Sequence, residues 1–147
     1  MDEETVVEWG SATKLLVWVS VMQLWEQGKL DLEADVKDYL PEGYLDFITY
    51  DTPITMLHLM NHNAGFQEVY ADLFVKNPED ILPLEEALLT HVPAQIFEPG
   101  TVSAYSNWGC ALAGLIVEKV SGMSFADYVH THIFQPLDME HSALRPD

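Results

Sequence analysis

Basic residues are scarce in this sequence of 147 residues. Six Lys and Arg residues stand against 24 Asp and Glu residues, which gives a formal net charge of −18 at pH 7. Nucleic acids and anionic membranes are bound through clusters of Lys and Arg, so we expect neither as a partner. The acidic excess favours a well-solvated surface, and an acidic face that attracts a cationic substrate is the alternative.

Cysteine and long apolar runs are also scarce. The one cysteine, Cys110, excludes an internal disulfide, and its apolar neighbours predict a small buried side chain rather than a catalytic thiol. The longest apolar stretch, residues 15–22, is too short to span a membrane. The sequence has no basic segment followed by an apolar one, so we expect no signal peptide in it. These features leave the localisation open.

The residues that are present indicate one globular domain over residues 1–147. Apolar residues make up 48% of the sequence and aromatic residues 11%. This composition is rich enough to form a hydrophobic core and too rich for a disordered chain. The length is that of a single domain.

The spacing of apolar residues and of helix-ending signals is typical of a mostly α-helical chain. It predicts a long apolar helix over residues 11–27 and a second over residues 108–120, each followed by a glycine. Shorter helices are predicted over residues 54–60, 84–91 and 124–134. Because both long helices are apolar on nearly every side, we expect them to be buried. Little or no β-sheet is expected.

Ser11 and Lys14 stand at the start of the first long helix. A serine hydroxyl is a weak nucleophile at pH 7, and a lysine on the same helix face helps to remove its proton if the amine is held uncharged. A lysine in the first turn of an apolar helix is costly unless it is partnered or functional. Backbone N–H groups at the helix start would favour a developing oxyanion. The spacing alone leaves catalysis and chance equally open.

Tyr105 and Asn107 form a second candidate group. Residues two apart in an extended loop point to the same side, so both side chains can approach Ser11 from a second direction. Tyr105 as an ordinary amphipathic core residue is the alternative. Together with Lys14, these residues predict an acyl-transfer site around Ser11.

The histidines do not indicate a metal site. His58 and His62 are four residues apart and would share a helix face, but a zinc site needs a third ligand in register. The sequence offers none, so we predict structural roles for both histidines. No metal or cofactor is expected.

Several segments carry a stronger signal together than any of them carries alone. They are Trp9-Gly-Ser-Ala-Thr-Lys14, residues 21–32, the Leu-x-x-His-x-x-Gly-Phe pattern of residues 59–66, Pro99-Gly100 through Tyr105-Ser-Asn107, residues 114–118, Ser121-Gly122, and Phe134-Gln-Pro-Leu-Asp-Met139. In this order they resemble the serine β-lactamase-related family, which includes class C β-lactamases, DD-peptidases and carboxylesterases of similar fold. The resemblance spans nearly the whole chain and implies the helical region of the β-lactamase/transpeptidase-like α/β fold.

The resemblance also implies a role for each candidate residue. Ser11 would be the acylated nucleophile, Lys14 and Tyr105 would share general-base duty, and Asn107 would help to hold the substrate amide. The Ser11 backbone N–H would form half of an oxyanion hole. The family's third motif, a Lys-Thr-Gly type strand, has no counterpart, since no Lys precedes Thr-Gly or Ser-Gly and no His-x-Gly occurs. We therefore expect a chain cut before that motif, also without the family's N-terminal strands, and with little or no turnover.

The choice among a β-lactam, a D-Ala peptide and an ester as substrate stays open. A penicillin sensor that is acylated but not deacylated and a noncatalytic partner-binding module of the same fold are the alternatives. The resemblance suggests the bacterial cell envelope or secretion. Because the two long helices would lack neighbours in a shortened chain, we also expect self-association through exposed apolar surface.

Overall fold

The computed structural model describes Asp2 and residues 5–71 and 75–145 of the chain. These residues contain five α-helices and no β-strand. The helices are α1 (Lys14–Glu26), α2 (Met56–Met60), α3 (Leu84–Thr90), α4 (Asn107–Ser121) and α5 (Phe125–Val129). They are joined by the short 3₁₀ turns Gly10–Thr13, Val36–Tyr39, Pro78–Asp80 and Gln135–Leu137, by the π-helical turn His130–Phe134, and by two isolated β-bridges, Asp35 with Thr55 and Phe66 with Gln95. The prediction of a mainly helical chain is confirmed for the described residues.

The hydrophobic core is centred on α4. Its residues 108–117 are buried apart from Ala111, which is half-buried, and α1, α2, α3 and α5 all pack against it. The prediction that this long helix is buried is therefore confirmed. Gly122, in the left-handed conformation with φ +72°, ends α4 as predicted.

The first long helix differs from its prediction, because α1 is buried on one face only. The buried side chains are Leu16, Val17, Ser20, Val21 and Leu24. The opposite face exposes four large apolar side chains, Leu15, Val19, Met22 and Trp25. A helix packed on one side buries only the stripe that faces its neighbours, and an all-apolar sequence does not show which stripe that is. We call these four side chains the α1 apolar face.

The shorter helices are close to their predicted positions. α2 begins two residues late because Thr55 caps it: the Thr55 hydroxyl accepts from the His58 N–H, and His58 Nδ1 accepts from the Thr55 N–H at 3.1 Å. α3 matches its prediction to within one residue. The helix predicted over residues 124–134 is instead α5 followed by the π-helical turn.

Gly65 makes a close backbone contact that only glycine permits. Its φ is +86°, and a Cβ atom at this position would lie 1.9 Å from the carbonyl oxygen of Phe97. The Gly65 carbonyl accepts from the N–H groups of Ile96 (2.8 Å) and Phe97 (3.2 Å). Beside it, the buried Gln95 side chain donates to the Ala64 carbonyl at 3.1 Å. This contact holds the segment that leads into residues 98–105.

No single helix among the described residues is long and apolar enough to cross a membrane. α4 and the adjoining segment Phe125–Leu137 have the length and apolar composition of a membrane span only when they are taken together, and they are bent by 76° at their junction. Most of α4 is already buried in the core.

Candidate active site

Ser11 lies in the 3₁₀ turn before α1, and α1 itself begins at Lys14. The predicted helix start at Ser11 is therefore wrong by three residues. Gly10 is the physical reason, because its φ of +53° turns the chain immediately before Ser11. The turn is closed by the Thr13 hydroxyl, which donates to the Gly10 carbonyl at 2.6 Å. In a 3₁₀ helix residues i and i+3 are eclipsed, so Ser11 and Lys14 lie directly above one another.

Three of the four candidate side chains meet at one oxygen. Lys14 Nζ donates to Ser11 Oγ at 3.2 Å, and the Tyr105 hydroxyl donates to the same oxygen at 3.0 Å. Lys14 Nζ also lies 5.0 Å from the centroid of the Tyr105 ring. Ser11 is exposed and Tyr105 is 47% exposed, so this cluster is open to solvent. An amine in its uncharged form can take up the proton of such a hydroxyl, and a phenol beside it can relay that proton.

The second motif is presented by the N-terminus of α4. Ser106 caps the helix in an extended conformation, with its side chain accepting from the Gly109 N–H at 2.9 Å. Alternate residues of an extended segment point to opposite sides. Ser106 is accordingly buried while Tyr105 points outward to Ser11.

Asn107 lies beside the cluster and not in it. It is the first residue of α4, and its N–H donates to Glu68 Oε2 at 2.9 Å. It lines a cleft of about 910 Å³ together with Trp108 and residues from α3. Ser11, Lys14 and Tyr105 do not line this cleft. A role for Asn107 in holding the substrate stays a prediction.

His62 and Glu68 adjoin the cluster, and sequence reasoning placed neither of them there. The His62 ring stacks against Tyr105 with 4.5 Å between ring centroids. Burial lowers the pKa of His62, the positive charge of Lys14 lowers it further, and the carboxylate of Glu68 acts in the opposite direction. The Leu-x-x-His-x-x-Gly-Phe pattern was a signal for His62, whereas Glu68 has no such signal in the sequence.

The thiol of Cys110 is not a competing nucleophile. Cys110 is 3% exposed, and burial raises the pKa of its thiol to about 12, although the charge of Lys14 acts in the opposite direction. The thiol therefore stays protonated at neutral pH. Among the described residues, no group of three or more His, Cys, Asp or Glu side chains is placed to hold a metal ion.

The chain is similar to known proteins along its whole length. The model of the family described as Beta-lactamase matches residues 1–147. The chain belongs to the Beta-lactamase family. The family membership predicted from the ordered segments is thus confirmed.

Relatives in the Beta-lactamase family include bacterial and fungal proteins. Penicillin-binding protein 4* of Bacillus subtilis is 33% identical over 143 residues, which cover 92% of this chain and 30% of that protein. Lovastatin esterase of Penicillium rubens is 29% identical over 164 residues, which cover 97% of this chain and 40% of that protein. The chain spans about a third of the length of these curated relatives.

A solved structure shows the same fold. The beta-lactamase/D-alanine carboxypeptidase from Yersinia pestis, complexed with citrate, superposes with a TM-score of 0.77 at 26% identity, over 93% of this chain and 40% of that one. The helical architecture described above is therefore shared with a Beta-lactamase-type structure. Because an esterase and a carboxypeptidase are both hydrolases, the relatives support a serine hydrolase in general.

Proposed function

We propose that this chain carries the nucleophile and the proton-transfer groups of a β-lactamase-related serine hydrolase that acts through an acyl-serine intermediate. The observation that supports the proposal is the convergence of Lys14 Nζ and the Tyr105 hydroxyl on Ser11 Oγ, at 3.2 and 3.0 Å. A surface serine has no structural need for an amine and a phenol at once.

The proposed acylation step follows from these contacts. Ser11 Oγ attacks the carbonyl carbon of the substrate, forming a C–O bond, and its proton passes to Lys14 in its uncharged form, either directly or by relay through the Tyr105 hydroxyl, which gives up its own proton as it takes the serine proton. The same proton then moves to the leaving nitrogen or oxygen as the scissile bond breaks. In deacylation, a water molecule attacks the acyl carbon and the bond from that carbon to Ser11 Oγ breaks. The proton of the water passes through the same groups to Ser11 Oγ, and the carboxylic acid leaves. Proton transfer by a positioned group typically contributes about 10²- to 10⁴-fold in rate.

The proposed substrate is a β-lactam, a D-Ala peptide or an ester, and turnover by the 147 residues alone is slow. Ser11 lies in the first turn of its 3₁₀ helix, where N–H groups lack partners within the helix, so its N–H serves as one oxyanion donor. The second oxyanion donor would come from a strand marked by Lys-Thr-Gly, Lys-Ser-Gly or His-x-Gly. The sequence contains none of these three patterns. Loss of one such donor typically lowers the rate by about 100- to 1000-fold.

The test is intact mass spectrometry after incubation with a fluorescent penicillin and, separately, with a fluorophosphonate. We expect one adduct per chain, on the proteolytic peptide that contains Ser11, together with slow hydrolysis of nitrocefin and p-nitrophenyl esters. A folded chain that gains no mass contradicts the nucleophile assignment. Brisk hydrolysis contradicts slow turnover, and a penicillin adduct that does not decay indicates a sensor.

Self-association of the chain is proposed through the α1 apolar face, with a second copy as the partner. The face comprises four exposed apolar side chains, whereas α4 is covered and offers no such face. Each copy carries a formal charge of −18, so repulsion opposes pairing until salt screens it.

We expect light scattering to show the mean mass rising toward twice the chain mass as salt concentration is raised. Val19→Glu should remain monomeric, because it places a charge in the middle of the α1 apolar face. Leu137→Glu changes an exposed apolar residue elsewhere and should behave like the unmodified chain. A monodisperse monomer at high protein and salt concentration would refute this association.

A further inference from the structure

One residue outside the predicted catalytic group holds Tyr105 from three directions. The His62 carbonyl accepts from the Ala104 N–H at 2.7 Å, and His62 Nδ1 accepts from the Ser106 N–H at 3.2 Å. Between these two bonds, the His62 ring stacks on the Tyr105 ring at 4.5 Å, with the ring planes tilted by 32°. Both neighbours of Tyr105 and its own side chain are thus fixed by a single residue.

The backbone of His62 ends α2. Its φ is +53°, a left-handed conformation that histidine adopts more often than most residues with a side chain. The His62 N–H donates to the Leu59 carbonyl at 3.2 Å and the Asn63 N–H donates to the His58 carbonyl at 2.9 Å, which is the Schellman pattern of a helix C-terminus. The end of this helix therefore places the carbonyl and the ring of His62 against the segment that contains Tyr105.

The hydrogen bond from Ser106 defines the protonation state of the ring. A backbone N–H only donates, so Nδ1 carries no proton and the neutral ring has its proton on Nε2. The charged groups around the ring are Lys14 from α1 and Glu68 from the following loop, and the edge of Trp18 lies 6.4 Å away. Burial and Lys14 lower the pKa of His62 against the opposing effect of Glu68, so the accepting form predominates at pH 7.

We propose that His62 is a positioning residue for Tyr105, which aims the phenol at Ser11 Oγ through the stacked ring and through the backbone on both sides. The catalytic consequence rests on the proposed function, whereas the structural consequence does not. A displacement of about 1 Å at a proton-transfer group can lower the rate by about 100-fold.

Two substitutions separate the contacts. His62→Asn suits the left-handed backbone, so it retains the carbonyl bond to Ala104 and removes the ring. His62→Phe retains a ring against Tyr105 and removes the acceptor for Ser106. We expect the first-order acylation constant of Ser11 to fall about 10- to 100-fold in His62→Asn, with an intermediate loss in His62→Phe. The apparent dissociation constant of the reagent should change by less than about threefold.

His58→Ala is the matched control, because His58 Nδ1 also accepts a backbone N–H, that of Thr55, in the cap of α2. This variant should lower the midpoint of urea unfolding and leave the acylation constant unchanged. If His58→Ala, at a comparable loss of stability, lowers the acylation constant as much as the His62 variants do, the positioning role is refuted.

The second readout does not depend on acylation. In a chain labelled with ¹³C-tyrosine, with Tyr105 assigned by Tyr105→Phe, the Tyr105 ring resonances should shift as His62 takes up its proton, at a midpoint below its ordinary pKa of 6.5. The step should be absent from His62→Asn. If the Tyr105 ring resonances do not shift as His62 is titrated, the inference is overturned whether or not Ser11 is acylated. Coupled resonances in a chain that is never acylated contradict the proposed function alone.

Discussion

Replacing Ser11 with Ala is expected to abolish covalent labelling by both the penicillin and the fluorophosphonate. The loss should be complete, because within residues 5–71 and 75–145 the oxygen to which both Lys14 Nζ and the Tyr105 hydroxyl donate is Ser11 Oγ. The variant should fold normally. Ser11 is exposed, and both of its partners can bind water instead, so the free energy of unfolding should change by less than about 0.5 kcal/mol.

Ser103→Ala is the control for this experiment, since Ser103 is an exposed serine in the segment that leads to Tyr105. It should be labelled like the unmodified chain. Intact mass spectrometry and circular dichroism on the same samples distinguish loss of the nucleophile from loss of the fold. An adduct that persists in Ser11→Ala would assign the reaction to another residue.

Replacing Gly65 with Ala is expected to lower the free energy of unfolding by about 4 kcal/mol. The new Cβ would lie 1.9 Å from the Phe97 carbonyl oxygen, so the backbone would have to move and break the bonds that Ile96 and Phe97 donate to Gly65. The left-handed φ adds about 1–2 kcal/mol for any side chain. Because a domain is typically stable by about 5–15 kcal/mol, much of the population should unfold under mild denaturant.

Gly122→Ala provides the matched comparison. Gly122 has a φ of +72°, but a Cβ there meets nothing within 4 Å. It should therefore lose only the conformational part, about 1–2 kcal/mol. Urea unfolding followed by circular dichroism gives both values. Equal losses in the two variants would show that the contact with Phe97 relaxes freely.

The helices could be predicted from the sequence where their ends are marked. Gly122 ended α4 in the sequence and in the structure, and α3 matched to one residue. The start of α1 could not be predicted, because Gly10 permits a 3₁₀ turn without requiring one. The exposed side of α1 was also beyond prediction, since burial depends on where the neighbouring helices lie.

The candidate site was accessible to sequence reasoning only in part. The spacing of Ser11 and Lys14 is local, and a helix of either type places them together. The approach of Tyr105 depends on packing between segments 94 residues apart in sequence, which the extended Tyr105–Asn107 segment allowed and the family resemblance implied. The contacts of His62 join it to a segment 44 residues away in sequence, which its residue type does not indicate. Its structural role was predicted, but its proximity to Tyr105 was not.

The converging residues and the packed core occupy different positions. Ser11 and Tyr105 are exposed, whereas α1 and α4 contribute buried residues such as Val21 and Leu112 to one core cluster. The proposed nucleophile, Ser11, can therefore be exchanged or lost in one mutational step, with no compensating change in the interior.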